Sequence, residues 1–207
     1  RRLSVVGLRM VKELKGIPCF PLDENSSRKK NICTSRSFGK KVTDIKDLKE
    51  SLSNYASNCA YKLRKQKSCA TRVSLFIHTN PFKPTDKQYK GFTSFILDSP
   101  TNDSMEIVRF ALKGLEKIYR PGYNYKKAGV IVGDIVPQQQ QQLSLFDSID
   151  RQKQQSVMST LDKINEKMGR DKVRLAVQGQ SRKWKMKREK LSPSYSTRIE
   201  ESLVVQL

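Results

Sequence analysis

The sequence predicts an α+β fold whose elements run β-α-β-β-α-β, a split ferredoxin-like arrangement. Three observations lead there. Two long segments repeat apolar residues at the helical period, four shorter segments are β-branched or alternate apolar with polar, and Gly or Pro falls between them. Leu, Ile, Val and Phe make up 52 of the 207 residues, which is enough for a core and for one or two domains.

Val5, Val6, Leu8, Val11 and Leu14 recur at mostly three- and four-residue spacings, with Gly16 and Pro18 behind them, which predicts one short helix. From Pro21 to Lys30 the chain turns polar and aperiodic, as an exposed linker does. Residues 31–38, closed by Gly39, read as a first strand. Thr43 can cap a long helix with a single stripe of Ile45, Leu48, Leu52, Tyr55, Ala56, Cys59 and Leu63.

Val73, Leu75 and Ile77 alternate with their neighbours as a half-buried strand, ended by Pro81 and Pro84. A third strand covers Gly91 to Leu97. Asp103 and Glu106 are spaced as a capping box for a second helix, whose inner face is Val108, Leu112, Leu115 and Tyr119. Ala128 to Val136 supplies the last strand before Pro137.

Five glutamines, Gln138 to Gln142, cannot build a core and read as a tether. Beyond it, Val157, Leu161, Ile164 and Met168 predict an amphipathic helix ending at Gly169, and Val173, Leu175 and Val177 one short strand. The organisation expected is therefore residues 1–20, a linker at 21–29, a main domain at 30–137, a Gln-rich linker at 138–150 and a small C-terminal α/β region at 151–207.

Composition narrows the function. There are 41 Lys and Arg against 20 Asp and Glu, a formal charge of +21, which calls for a polyanionic partner. No stretch of about 18 uncharged apolar residues exists, so no membrane span is expected, and no signal peptide is read. The missing initiator Met leads us to expect part of a longer protein. Cys19, Cys33, Cys59 and Cys69 form no C-x-x-C pair, as expected of reduced cytosolic thiols acting as small hydrophobes. With His78 as the sole histidine, triads and His-dyad metal sites are excluded. Asp44, Asp47 and Glu50 lie on a helix face rather than in a metal-holding cluster, and no Gly-rich phosphate loop exists. We expect no catalytic residue, metal site or cofactor in these residues.

Nucleic-acid binding is the chemistry that remains. Six basic residues and no acid fall between Arg28 and Lys41. Ser35, Arg36 and Ser37 supply a guanidinium fork and two hydroxyl donors suited to phosphate oxygens, with Lys40 and Lys41 next to them and Arg72 and Lys90 as weaker candidates. A second basic run lies at residues 182–190. Lys90-Gly91-Phe92 opens like the signature of RNA-recognition modules that stack bases on a sheet, but Thr93 and Ser94 break the pattern. Finally, Gln142, Leu143, Ser144, Leu145 and Phe146 place a hydrophobic cluster in a polar tether, as a segment does that folds on docking into a partner's pocket.

Four separated stretches in order resemble one family. They are Ser4-Val5-Val6 with Arg9 to Leu14 and Cys19, Cys33-Thr34-Ser35-Arg36-Ser37-Phe38-Gly39, Tyr125-Lys126-Lys127-Ala128-Gly129-Val130, and Trp184 to Glu189 with Leu191-Ser192-Pro193. The chain resembles the C-terminal half of the UmuC branch of Y-family translesion DNA polymerases, the catalytic subunits of bacterial DNA polymerase V. Gly7-Leu8 and Ile199 depart from the family, which commonly has Leu-Glu and Trp there.

The resemblance implies that residues 1–20 end the thumb and that 30–137 form the little finger, a domain lying against the DNA major groove. Ser35, Arg36 and Ser37 then contact the template backbone, and Gln142 to Phe146 bind the sliding clamp. It implies a cytoplasmic enzyme of SOS mutagenesis and DNA repair, nucleoid-associated when active. Its partners would be primer-template DNA, the bacterial sliding clamp, a UmuD-type accessory subunit and RecA. The palm, with its Mg²⁺-holding acids, would lie elsewhere in the parent polymerase.

Overall fold

The longest apolar stripe of the sequence becomes the central helix of the molecule. The computed structural model describes residues 4–21, 28–140, 150–180, 183–186, 191–195 and 197–201. After helix α1 (Val5–Leu14), which buries none of its residues, come β1 (Ile32–Val42), α2 (Ile45–Lys65), β2 (Ser68–Thr79), β3 (Lys90–Thr101), α3 (Ser104–Ile118), β4 (Tyr125–Pro137) and α4 (Arg151–Met168). The expected β-α-β-β-α-β order is observed.

In α2 the stripe residues Leu48, Leu52, Tyr55, Ala56, Cys59 and Leu63 are all buried, and Ile45 packs against them at the first turn. The cap is Asp44 rather than Thr43. Its carboxylate accepts the Lys46 N–H at 2.8 Å, where a negative charge also meets the positive end of the helix. Thr43 instead offers its carbonyl to the Tyr119 hydroxyl at 2.9 Å, tying the start of α2 to the end of α3.

The four strands pair antiparallel in the order β1-β4-β2-β3. Each crossover helix thus joins two strands separated by a third, and the first strand lies on an edge, whereas the ferredoxin-like order sets it in the centre. The strands also run longer than their apolar cores suggested. In particular β1 does not stop at Gly39 but continues through an irregularity after Ser37 to Val42. Ladder hydrogen bonds, not side-chain pattern alone, set strand ends.

Alternation divides the sheet cleanly. Val73, Leu75, Ile77, Ala128, Val130, Val132, Ile32 and Phe38 face α2 and α3, and all are buried. Gly114 of α3 marks a close approach of helix to sheet: a Cβ there would come within 2.2 Å of Leu75 Cδ2. Among the described residues no helix covers the opposite face.

Asp103 caps α3 as expected, accepting the Met105 and Glu106 N–H groups at 2.7 and 2.9 Å. The reciprocal half of the expected capping box is replaced. The Glu106 carboxylate takes Thr101 Oγ1 and, at 2.5 Å, Arg151 of α4, while the Asp103 N–H goes to Thr101 Oγ1 at 3.1 Å.

The C-terminal residues pack onto this helical layer. The helix expected around Val157 to Met168 forms as α4, with Met158 buried and Gly169 behind it at φ 103°. The expected strand at residues 173–177 does not form; a 3₁₀ turn, Ala176–Gln178, stands there. Side chains satisfy this backbone instead of a ladder: Asn165 brackets both polar groups of Val173 at 2.8 and 2.9 Å, and Gln178 Oε1 accepts the Leu175 N–H at 2.8 Å. Trp184 then enters the core beside Tyr55, ring centroids 5.6 Å apart at an 83° angle.

Candidate nucleic-acid interface

The open sheet face is built by register. Reading across from β1, the row Ser35–Gly129–Phe76–Phe92 lies on it, flanked by Ser37–Lys127–His78–Lys90 on one side and Cys33–Ile131–Ser74–Ser94 on the other. It therefore combines three hydroxyl-bearing positions at its edges with two lysines, Lys90 and Lys127, and a central aromatic strip. Hydroxyls and ammonium groups on one surface are the donors that phosphate oxygens accept.

Glycine at 129 is required here. A Cβ would lie 2.5 Å from both Phe76 Cζ and Ser35 Cβ, so its absence lets the Phe76 ring lie flat across β4. That ring is held between His78, with centroids 4.8 Å apart, and the Lys127 ammonium 5.9 Å away. Burial first, and then the charges of Lys90 and Lys127, hold the His78 imidazole below its ordinary range.

The six residues expected to contact a backbone are not all brought together. Ser35 and Ser37 lie on the open face. Arg36 alternates to the helix side of the same edge strand, where its guanidinium donates to the Ser35 carbonyl at 2.9 Å and its charge acts on Tyr55. Lys40 is exposed on the continuation of β1. Lys41 is engaged by Asp86 of the β2–β3 connection at 2.8 Å, which raises the lysine's pKa and lowers that of the carboxylate. Arg72 is paired with Asp134 at 2.8 Å. Gln142 to Phe146 lie outside the described residues, as do Arg182 and residues 187–190 of the second basic run.

Lys127 and Phe76 were missed as site residues. The signal was available, because burial of Ala128 and Val130, and of Leu75 and Ile77, forces their immediate neighbours onto the other face. Cys33 also departs from the buried role expected of the cysteines, being exposed on this face, whereas Cys59 and Cys69 are buried. Among the described residues no group of three or more His, Cys, Asp or Glu could hold a metal ion, and no helix is long and apolar enough to cross a membrane.

The sequence has known relatives. A family model described as the impB/mucB/samB family C-terminal domain matches residues 29–145. The chain belongs to this family. A second model, described only as a domain of unknown function (DUF4113), matches residues 155–205. Protein UmuC of Salmonella typhimurium is 40% identical over all 207 residues, which cover 49% of that protein. Protein MucB of Escherichia coli is 36% identical over 198 residues, 95% of this chain and 46% of the relative. The chain thus spans about half the length of the curated relatives it matches, and the expected resemblance to the UmuC branch is borne out. DinB from Sulfolobus solfataricus superposes over 65% of this chain and 36% of its own at 12% identity, with a TM-score of 0.42, too slight a likeness to argue from.

Proposed function

We propose that this impB/mucB/samB-family chain is the DNA-gripping and clamp-tethering part of an error-prone translesion DNA polymerase. The observation that carries the reading is the sheet face that no described helix covers, with Ser35, Ser37, Lys90 and Lys127 on one surface. Such a face grips primer-template DNA through its backbone, and backbone contacts carry no base information, which suits a damaged template. Polymerisation itself, with Mg²⁺ held by palm carboxylates, belongs to the longer parent protein, as does its place in SOS mutagenesis with a UmuD-type subunit and RecA.

Gln142 to Phe146 serve as the clamp-docking peptide, and tethering then raises the local concentration of polymerase at the primer end. Affinity for primer-template should fall steeply as salt rises, because each neutralised phosphate releases counterions. A salt-independent affinity measured by fluorescence anisotropy would overturn the electrostatic account.

One observation favours a second reading. Phe92 is 63% exposed on β3 directly opposite Phe76, an arrangement that could stack single-stranded RNA bases.

A further inference from the structure

The matched domain of unknown function touches the proposed DNA-gripping strand through a tryptophan. Trp184 is only 6% exposed; its indole Nε1–H donates to Glu50 Oε1 at 3.1 Å, and its ring meets the Tyr55 ring edge-on. Its carbonyl accepts the Gly39 N–H at 3.4 Å. Gly39 lies within β1, between Ser35-Arg36-Ser37 and Lys40-Lys41. The tryptophan therefore pins residues 183–186 against the outer edge of β1, at the level of its basic residues.

The consequence is electrostatic. Lys183 and Lys185, immediately either side of the buried indole, are exposed. Arg36 lies on this same side of β1, close enough to Tyr55 for its charge to act on the phenol. Glu50, the acid at the pin, accepts the indole N–H. Arg36, Lys40, Lys183 and Lys185 thus continue the positive surface from the open sheet face around the β1 edge and onto the helix side.

We propose that this segment is a second DNA-contacting element: Trp184 is a pin that places Lys183 and Lys185 on phosphates just beyond those reached by β1. The inference rests on the DNA-binding reading above and assigns the unknown-function domain a share in it. The ligand is the sugar-phosphate backbone of the duplex flanking the sheet, recognised by charge.

Equilibrium binding of the 207-residue chain to primer-template across a salt series tests it. The double variant Lys183→Ala/Lys185→Ala, confined to the surface, should flatten the slope of log affinity against log salt by roughly 2, at about 0.9 for each phosphate no longer neutralised. Trp184→Ala keeps both lysines yet should flatten it comparably, while Trp184→Phe, which retains a buried ring, should keep most of the wild-type slope. A wild-type slope in the double lysine variant overturns the proposal whatever the tryptophan variants do. A flattened lysine variant with a wild-type slope in Trp184→Ala overturns the pin. If the unaltered chain shows no salt-dependent binding at all, the DNA reading itself fails.

Discussion

Arg64 of α2 grips Asp162 of α4 with both arms of its guanidinium, Nε to Oδ2 at 2.6 Å and Nη2 to Oδ1 at 2.8 Å. The remaining nitrogen donates to the Asn102 carbonyl and the Ser104 hydroxyl at 2.7 and 3.0 Å. One side chain therefore joins α4, α2 and the start of α3. Both partners are largely shielded, at 11% and 16% exposed, and the fork geometry is the strong form of this interaction. Because Met158 alone of the α4 residues is buried, polar contacts hold much of that helix in place. Asp162→Ala should destabilise the docked helix by about 2 kcal/mol, the range for hydrogen bonds to charged groups. Limited proteolysis should then cut within Arg151–Met168 faster than in the sheet; unchanged cleavage would show that α4 is held by something else.

Gly129→Ala should damage the open face more than the core. The new methyl would meet Phe76 and Ser35 at 2.5 Å, and no flexible chain end can yield on the Ser35 side, where the contact is Cβ itself. The expected cost is about 1–3 kcal/mol of overpacking, measured by denaturant unfolding, together with weaker DNA binding. Gly122→Ala is the comparison: it has nothing within 4 Å and strains only a φ of +80°, so its cost should be local and leave DNA affinity intact.

The two kinds of periodicity made most of the fold legible, because burial of the α2 stripe and of Ala128, Val130 and Val132 in β4 is written directly in residue spacing. What spacing could not encode was competition between partners. Glu106 has the right offset for a capping box, but Arg151, 45 residues away in sequence, offers a charge that a backbone N–H does not. Lys41 and Arg72 looked like free cations, and only the folded chain brings Asp86 and Asp134 to them. Val173, Leu175 and Val177 alternate like a strand, yet Asn165 and Gln178 satisfy their backbone locally. In the same way, the order of elements predicted the crossovers but not which strand would lie at the edge.

Thiol reactivity should separate the cysteines by position. Burial pushes the Cys59 thiol up from 9.0 to about 11, with Thr34 Oγ1 at 3.2 Å beside it. The nucleophile is the thiolate, so at pH 8 Cys59 is ionised on the order of one part in a thousand. Iodoacetamide should modify exposed Cys33 in the folded chain and reach Cys59 and Cys69 only on unfolding, as read by peptide mass spectrometry. The same shift favours the neutral thiol in the folded state. Its contribution to stability is fully present below pH 9 and is lost as pH rises through about 11.

Phe92→Ala separates the two readings of the sheet. Base stacking on an aromatic ring contributes about 1–3 kcal/mol by alanine substitution, or roughly 5- to 150-fold in affinity. If the face serves duplex backbones, the variant should lose less than about threefold for primer-template, the phosphate donors being untouched. Competition with single-stranded RNA is the decisive comparison, since a large RNA-specific loss would favour the stacking reading.

Clamp tethering should be separable from DNA grip. Leu143 and Phe146 are the large apolar side chains at the ends of the Leu-Ser-Leu-Phe cluster, and anchors of this kind carry most of the energy of a small interface. Leu143→Ala/Phe146→Ala should therefore abolish binding to an immobilised sliding clamp. Neither substitution removes a charge, so the salt slope for primer-template should stay at its wild-type value. The physical reason is independence of the two modules: hydrophobic insertion depends on apolar area, and backbone grip on the number of phosphates neutralised. A variant that lost clamp and DNA binding in parallel would mean that the tether packs on the sheet face, and the two functions would then share one surface.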